Sequence, residues 1–552
     1  MGKEVSKNVF DEWKAILGKG VVLEGEIARS RYGRSTLDGV MRSIRGALLP
    51  KSVEEIVSIV KVASKYRVPI YPISAGRNWG YGSSNPVDDN CVILDMSRMN
   101  TIIALDESLG LVTVEPGVTY RQLEEYLESK NSLLLAPCSG GGPSCSLIGN
   151  ALERGRSISA PIDRFASITA LEVVLADGSI YRSPFSQPGS SFSGFYKWGI
   201  GPYLDGIFGQ SNLGIVVKAT FALSRKPEYT QCFIVSVKES ESIAGAVDAA
   251  RNLLNKLGST LPSIVVQNPQ RTFSRTINYP RENRLKNGVL SDDFIKESLQ
   301  QLLLTKWTIL GFLQGDARIV KTAQDIVNEE FNDTVGEVLF FDAKTLRTCA
   351  SIKRYMWIPK RTKRIVAILP ILYGTLSGVT GRGIKRNLDI PFWTRMSDLS
   401  PDDISRLEET NFDYDADPRC GILFFTAVLP MVGANVERFA DMAENICKKH
   451  HMEPFIGFLN SSDRCMAVNM PLFFDKSDEK QVKSSQLCYR ELFDMTLECG
   501  GHLQRANIDS MNMIANPEDG FWKTGKKVKD ALDPHNIISP GRYASNTTVD
   551  KE

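Results

Sequence analysis

The sequence predicts an α+β protein with more than one domain. At 552 residues the chain is too long to fold around a single hydrophobic core. Segments with helical and with strand periodicity alternate through residues 1–225, and the alternation restarts at about Tyr229. These observations favour one sheet domain followed by a second.

Local patterns predict the elements of the first domain. The stretch "SVEEIVSIVKVASKY" carries apolar residues at helical spacing, whereas "VPIYPIS" and "CVILDM" are short and β-prone. Further on, "LGLVTVEPGVTYRQLEEYL" predicts a strand, a Pro-Gly turn and a helix. The stretch "ITALEVVLADGSIYRS" predicts two strands joined by an Asp-Gly hairpin turn.

The remainder of the chain repeats a strand followed by a helix. This order is seen in "QCFIVSVKESESIAGAVDAARNLLNKL" and again in "CGILFFTAVLPMVGANVERFADMAENICKKH". The two units predict a second sheet domain over residues 227–488. Near the end, "VKDALDPHNIISPGRY" predicts a helix stopped by Asp-Pro, then a short apolar run and a Pro-Gly turn.

Composition narrows the class of protein. With 42% hydrophobic and 24% charged residues the chain is globular, and its formal net charge of +2 gives no reason to expect nucleic acid or an anionic membrane as partner. The 10 cysteines are dispersed without a CxxC pair, and no metal-ligand spacing is present. No signal peptide and no run of 18 apolar residues is found. We therefore expect a cytoplasmic protein with reduced thiols.

Two glycine-rich stretches are candidates for a ligand site. In "PISAGRNWGYGSS" and "SGGGPSCSLIGNALERG" the glycines would let backbone amides approach an anion, and Arg77 can pair with phosphate. The first stretch matches neither the P-loop nor the GxGxxG pattern, so by composition alone it is compatible with an ordinary structural loop. Two such loops in one predicted domain favour a large phosphate-bearing ligand.

A series of stretches, in chain order between Ser52 and Arg542, resembles the vanillyl-alcohol oxidase and 4-cresol dehydrogenase (p-cresol methylhydroxylase) family of flavoproteins. The stretches are "PISAGRNWGYGSSNPV", "LVTVEPGVTYRQLEEYL", "GNALERG", "LEVVLADGSIYR", "KWGIGPYLDGIFGQSNLGIVVKATFAL" and "LDPHNIISPGR". The resemblance implies a two-part FAD-binding domain with an inserted α/β substrate (cap) domain. The N-terminal part of the FAD-binding domain would be residues 1–226, and the cap domain would be residues 227–488. A C-terminal segment, residues 489–552, would complete the FAD site.

The resemblance also implies which residues contact FAD. They lie in the two glycine-rich stretches, in the segment before "GIVVKATFAL" and in the C-terminal Pro-Gly turn. The expected residues are Ser74, Ala75, Gly76, Arg77, Asn78, Gly80, Gly82, Ser83, Pro137, Gly141, Gly142, Gly149, Asn150, Glu153, Arg154, Gly155, Gly206, Ser211, Asn212, Gly214, Ile215 and Arg542.

The resemblance places the family's catalytic residues at four positions, one of which carries a different residue. Tyr81 corresponds to a tyrosine that binds the substrate phenolate, although it could instead be a packed loop aromatic. Asp163 corresponds to an active-site aspartate able to act as general acid or base, or else it is a turn or N-cap residue. The family's Tyr-Arg pair falls on Gln504 and Arg505, so the tyrosine is replaced. This replacement leaves a simple para-alkylphenol substrate in question.

The mode of flavin attachment departs from one branch of the family. In that branch a histidine links FAD, and here Ile422 of "CGILFF" stands in its place. The sequence therefore predicts dissociable FAD. A tyrosyl link, or a bond from Cys138 or Cys145, is the alternative, but a thiol in a glycine-rich loop is more often a small packed residue.

The resemblance implies an FAD-dependent oxidoreductase that takes a hydride from a benzylic or hydroxyl-bearing carbon of a phenolic or other aromatic small molecule. One alternative is an FAD-dependent oxidase or dehydrogenase of a 2-hydroxy acid or another non-phenolic alcohol or amine. A second alternative is a non-catalytic flavin-binding scaffold. The electron acceptor would be dioxygen or an electron-carrier protein, and the family suggests a homo-oligomer.

Overall fold

The computed structural model describes residues 3–186, 194–237, 242–274, 279–285, 288–332, 335–352, 372, 376, 380 and 414–544. Within these ranges the strands form three sheets, of four, five and eight strands. The two smaller sheets use strands from the N-terminal part of the chain, and the largest uses strands that follow it. Mixed helices and sheets confirm the predicted α+β class.

The four-stranded sheet has the order β1-β2-β4-β3, in which β2, β4 and β3 are parallel and β1 is antiparallel. The predicted helix is α3, which begins where Ser52 Oγ accepts a hydrogen bond from the Glu55 amide. Its apolar face is buried, as the helical spacing requires. The elements are α1 (Lys3–Leu17), β1 (Val22–Glu24), α2 (Gly25–Tyr32), β2 (Gly46–Leu48), α3 (Val53–Tyr66), β3 (Ile70–Ile73) and β4 (Val92–Asp95).

The five-stranded sheet is antiparallel, in the order β5-β6-β9-β7-β8. The predicted Asp-Gly hairpin joins β7 to β8, and Gly178 adopts a φ of +83° at this turn. The elements are β5 (Ile102–Asp106), β6 (Leu111–Val114), α4 (Tyr120–Ser129), α5 (Leu147–Leu152), β7 (Ile168–Val174), β8 (Ile180–Arg182) and β9 (Ile215–Ala222).

The eight-stranded sheet is antiparallel and has the order β13-β10-β12-β11-β15-β16-β14-β17. Its strands are β10 (Tyr229–Val237), β11 (Ser263–Gln267), β12 (Thr308–Gly315), β13 (Val335–Phe341), β14 (Gly421–Pro430), β15 (Gly457–Asn460), β16 (Cys465–Phe474) and β17 (His502–Arg505).

Helices cover one face of this large sheet. Alternate strand residues, including Ile264, Val266, Phe425 and Val468, join the apolar core beneath them. The helices of this part of the chain are α6 (Ile243–Leu257), α7 (Pro269–Phe273), α8 (Asp292–Leu302), α9 (Ala317–Phe331), α10 (Ala343–Ile352), α11 (Gly433–Lys449), α12 (Glu479–Glu498), α13 (Met511–Ile514) and α14 (Gly520–Leu532).

The C-terminal segment contributes to both parts of the molecule. The predicted domain boundary at residue 488 lies inside α12, whose apolar side packs on the large sheet, and β17 then pairs with β14. After α14 the chain returns to the first sheet, where the Ile70 amide donates to the Ile537 carbonyl at 2.7 Å. No helix in the described ranges is long and apolar enough to cross a membrane.

Candidate active site

A cavity of about 600 Å³ lies between the N-terminal part of the chain and the face of the eight-stranded sheet opposite its main apolar core. Its size is that of a typical cofactor or ligand site. One wall consists of the two glycine-rich stretches, which we call the first glycine loop (residues 74–84) and the second glycine loop (residues 139–155). The facing wall consists of residues from β11, β12, β14, β15, β16 and β17.

The glycine loops are held close to each other and to the large sheet. A side chain at Gly149 would lie 3.3 Å from Ser74 Oγ, so glycine at this position keeps the two loops near contact. Gly80 adopts a φ of +74°, its amide donates to Thr36 Oγ1 at 2.8 Å, and its carbonyl accepts from the Phe424 amide at 3.1 Å. The first glycine loop is thereby fixed directly against β14.

A cluster of charged side chains joins the two parts of the chain. Glu153 Oε2 forms an ion pair with Arg505 Nε at 3.0 Å and accepts a hydrogen bond from the Tyr543 hydroxyl at 3.0 Å. Arg542 also pairs with Glu153 and donates to the Tyr71 hydroxyl. This Glu153 cluster (Glu153, Arg505, Arg542 and Tyr543) holds two guanidinium groups against one carboxylate. It therefore carries one positive charge without a counter-ion within the cluster.

Tyr81 lies beside the Glu153 cluster. Its hydroxyl is 3.1 Å from Thr426 Oγ1, its ring stacks on Phe424, and Arg505 Cζ lies 3.9 Å from its ring centroid. Burial raises the pKa of the Tyr81 hydroxyl, an effect that Arg505 and the hydrogen bond to Thr426 only partly offset. Tyr81 is therefore neutral at physiological pH and remains a hydrogen-bond donor.

Strand register brings distant residues together on the facing wall. Gly457, Asn469, Thr426 and Arg505 pair in succession across β15, β16, β14 and β17 and form a polar row. The neighbouring apolar row consists of Leu310, Val265, Leu459 and Ala467. The wall thus changes from polar to apolar with distance from Tyr81.

Arg271 of α7 lies over the polar row. Its Nη1 donates to the Asn469 carbonyl at 3.3 Å and to Asn469 Oδ1 at 3.2 Å. A Cβ atom at position 457 would lie 2.6 Å from Arg271 Nε, so glycine provides the space for this side chain. The cap part of the chain thereby contributes a cation to the cavity.

Comparison with known proteins supports a flavoprotein. A family profile described as "FAD binding domain" matches residues 44–183. The chain is 27% identical over 549 residues to the 4-cresol dehydrogenase [hydroxylating] flavoprotein subunit of Pseudomonas putida, with 98% of this chain and 96% of the relative covered. The structure of p-cresol methylhydroxylase with substrate bound matches with a TM-score of 0.83 at 25% identity, over 99% of this chain and 98% of that chain. The chain therefore contains an FAD-binding domain and is similar over nearly its whole length to the 4-cresol dehydrogenase flavoprotein subunit.

Two further proteins are similar to this chain over nearly its whole length. A 1'-carboxy-chondrochloren decarboxylase of Chondromyces crocatus is 28% identical over 551 residues, with 98% of both chains covered. The 4-ethylphenol oxidase of Gulosibacter chungangensis has the same fold, with a TM-score of 0.83 at 22% identity, and covers 99% of this chain and 98% of that chain. The FAD-binding domain and these full-length similarities support an FAD-dependent oxidoreductase.

The cavity of this flavoenzyme contains most of the residues expected from sequence. Among the expected catalytic residues, Tyr81, Gln504 and Arg505 line it. The expected FAD-contacting residues that line it are Ser74, Ala75, Gly76, Arg77, Asn78, Ser83, Gly141, Gly142, Gly149, Asn150, Glu153, Arg154, Gly155, Ser211, Gly214 and Arg542. Those that lie outside its lining are Gly80, Gly82, Pro137, Gly206, Asn212 and Ile215.

Asp163 also lies outside the cavity lining. Its side chain is 43% exposed, and Oδ1 accepts a hydrogen bond from the Ala166 amide at 2.9 Å. This hydrogen bond is typical of a turn residue, which the sequence analysis gave as the alternative role of Asp163. Its Oδ2 is 3.9 Å from Nη2 of Arg156, which does line the cavity. The role of Asp163 in proton transfer stays a prediction.

The positions considered for flavin attachment are also located. Cys138 and Cys145 line the cavity, and Cys145 Sγ donates to the Gly141 carbonyl at 2.9 Å. Ile422 is fully buried in an apolar core, away from the cavity lining. Among the residues that the structure describes, no group of three or more His, Cys, Asp or Glu side chains is arranged to hold a metal ion.

Several residues of the cavity were not predicted from sequence: Tyr71, Arg156, Arg271, Leu310, Phe312, Phe424, Thr426 and Asn469. Most lie on strands or on α7 without a local motif. Arg156 is the exception, because it directly follows the second glycine loop.

Proposed function

We propose that this enzyme oxidises a phenolic or other aromatic small molecule by removing a hydride from a benzylic or hydroxyl-bearing carbon. The observation that carries the proposal is the position of neutral Tyr81 beside the Glu153 cluster, which has one excess positive charge. A hydrogen-bond donor next to a positive charge favours a bound phenolate over the neutral phenol. Relatives named for 4-cresol and 4-ethylphenol support the same substrate class.

The two glycine loops would hold FAD. Their glycines leave backbone amides accessible, and Arg77, stacked at 5.3 Å on the Trp79 ring, offers a cation for phosphate. FAD supplies the hydride acceptor of the reaction. Because buried Ile422 stands at the position of the linking histidine, we propose that FAD is bound without a covalent bond.

Substrate orientation is assigned to Tyr81 and Arg505. The Gln504 side-chain amide donates to the Arg154 carbonyl at 3.3 Å, and the Gln504 carbonyl accepts from Gln210 Nε2 at 2.9 Å. Gln504 therefore ties β17 to the second glycine loop. The phenolate oxygen would be held by the Tyr81 hydroxyl and stabilised by the charge of Arg505. Asp163 remains the proposed acid or base.

The acceptor that reoxidises the enzyme would be dioxygen or an electron-carrier protein. The relative from Pseudomonas putida is named as a flavoprotein subunit, which supports a carrier protein as one of these two. A homo-oligomer and a cytoplasmic location complete the proposal. The 2-hydroxy-acid alternative has support only from relatives such as the probable D-lactate dehydrogenase of Danio rerio, whose similarity covers 45% of this chain.

Anaerobic mixing of the purified holoenzyme with 4-ethylphenol tests the proposal, since hydride transfer bleaches the flavin absorption. Tyr81→Phe removes the donor to a charged oxygen and should weaken 4-ethylphenol binding by roughly 10- to 100-fold. Tyr196→Phe is the control, because Tyr196 is 49% exposed. Bleaching by a 2-hydroxy acid but by no phenol would reject the proposed substrate class.

A further inference from the structure

Arg156 is a cavity residue whose guanidinium is poorly satisfied. Its Nε and Nη1 atoms are buried without a hydrogen-bond partner among the residues that the structure describes. Only Nη2 has an acidic neighbour, Asp163 at 3.9 Å, which is beyond hydrogen-bond distance and largely hydrated. Burying charged donors without partners is costly, so an unsatisfied arginine facing a cavity points to an anionic ligand.

The position of Arg156 places that ligand toward the cap rather than along the first glycine loop. Two residues later, Ile158 packs against the apolar cluster that contains Leu310 and Phe312. Both of these cap residues line the cavity, and Leu310 belongs to the apolar row. The segment that carries Arg156 therefore reaches the part of the cavity formed with the large sheet.

The overall charge of the cavity agrees with an additional anion. Among the described residues that line the cavity, Glu153 is the one acidic residue, against the arginines 77, 154, 156, 271, 505 and 542. The pyrophosphate of FAD and a phenolate would offset part of this positive charge. Arg271 and Arg156 come from opposite sides of the cavity, and neither belongs to the Glu153 cluster.

We infer that Arg156 forms a carboxylate-binding subsite and that the substrate is an aromatic acid. This inference rests on the proposed function, since it adds a second polar group to the substrate of the same cavity. A guanidinium holds the two oxygens of a planar carboxylate with two parallel N–H donors. Nη1, which has no partner, and Nη2, whose acidic neighbour Asp163 is 3.9 Å away, offer such a pair. The aromatic ring would lie between this subsite and Tyr81, along the apolar row.

Binding, rather than turnover, tests the subsite. Suitable ligands are 4-hydroxybenzoate and 4-hydroxycinnamate, each paired with its neutral amide, because they carry no benzylic C–H hydride to remove. Dissociation constants for the holoenzyme come from calorimetry. We expect each acid to bind more tightly than its amide, and Arg156→Gln to weaken acid binding by at least about 30-fold while leaving amide binding nearly unchanged.

Two further variants keep the result interpretable. Arg156→Lys retains the charge and should preserve part of the preference for the acid. Arg318→Gln removes an arginine whose side chain is 90% exposed, and should have no effect on either ligand. The acid-to-amide ratio does not depend on flavin reduction, so it can hold even if 4-ethylphenol fails to bleach the enzyme.

The FAD content of Arg156→Gln shows whether Arg156 binds the substrate carboxylate or the phosphates of FAD. We expect full FAD content, because the subsite belongs to the substrate. Loss of FAD with an unchanged acid-to-amide ratio would assign Arg156 to the cofactor phosphates and overturn the inference. The inference would also be overturned if the native enzyme bound 4-hydroxybenzoate and 4-hydroxycinnamate no more tightly than their amides.

Discussion

The two walls of the cavity are built in different ways. The glycine loops present backbone and small residues from two contiguous stretches of chain. The facing wall presents side chains from strands that are far apart in sequence, such as Thr426 and Arg505 on β14 and β17. A large, invariant cofactor is accommodated by close backbone approach, whereas a small substrate is distinguished by individual side chains. The glycine-loop wall is therefore local in sequence and the facing wall is not.

The Glu153 cluster is where the two walls meet, and its removal should have the largest effect. Glu153→Gln leaves Arg505 and Arg542 without their counter-charge, at positions where the side chains are only 14% exposed. We expect the free energy of unfolding to fall by about 3 kcal/mol, with loss of FAD. Urea unfolding and flavin absorbance measure both.

The matched control for this variant is Glu518→Gln. Glu518 pairs with Lys523 but is 82% exposed, so its loss should change stability by less than about 0.5 kcal/mol. Equal unfolding midpoints for the two variants would show that the walls do not depend on charge pairing at their junction.

The cap part of the chain contains a buried carboxyl group that should make stability depend on pH. Burial raises the pKa of Glu453 from 4.5 to about 7, although Oε1 accepts from the Leu290 amide at 2.6 Å and the Tyr279 hydroxyl at 3.0 Å. Because the folded pKa is the higher one, the stabilisation is complete below the unfolded pKa and is lost as pH rises through about 7.

We expect this loss to amount to about 3 kcal/mol between those two pKa values. Glu453→Gln keeps the shape without the titration, so its unfolding free energy should lack this slope and exceed that of the native protein at pH 8. Urea titrations across this pH range measure the difference. Parallel pH profiles for the two proteins would contradict the assignment.

Asp163→Asn tests whether catalysis uses a residue outside the cavity lining. If Asp163 acts as acid or base, flavin reduction should slow by about 100-fold in anaerobic stopped-flow mixing. If it acts only on Arg156, which it approaches to 3.9 Å, the affinity for an aromatic acid should change instead. Unchanged reduction would remove Asp163 from the chemistry.

Gly457→Ala tests the facing wall with a smaller effect. The added Cβ would meet Arg271 Nε at 2.6 Å and displace it from Asn469, which should lower stability by about 2 kcal/mol. Gly525→Ala in α14 is the control, because that position is open and alanine favours a helix, by up to about 1 kcal/mol. Similar urea midpoints for the two variants would show that Arg271 does not depend on the absence of a side chain at position 457.

Sequence reasoning located the fold class and the glycine-loop wall of the cavity because both depend on local patterns. Helical spacing in α3, the hairpin turn at Gly178 and the two glycine loops are each encoded within about 20 neighbouring residues. Asp163 was expected in the site because the family resemblance places an active-site aspartate at this position. Its side chain accepts a hydrogen bond from the Ala166 amide and lies outside the cavity lining, so its role in proton transfer stays a prediction.

The sequence by itself determined an α+β flavoprotein, the glycine loops, Tyr81 and the loss of a tyrosine at Gln504. Only the tertiary structure decided that Glu153 joins Arg505 to Arg542, and that Arg271 and Arg156 face one cavity. The physical reason is that strand register and helix packing bring these side chains together through contacts between distant parts of the chain. Such contacts leave no periodic signal near any one residue.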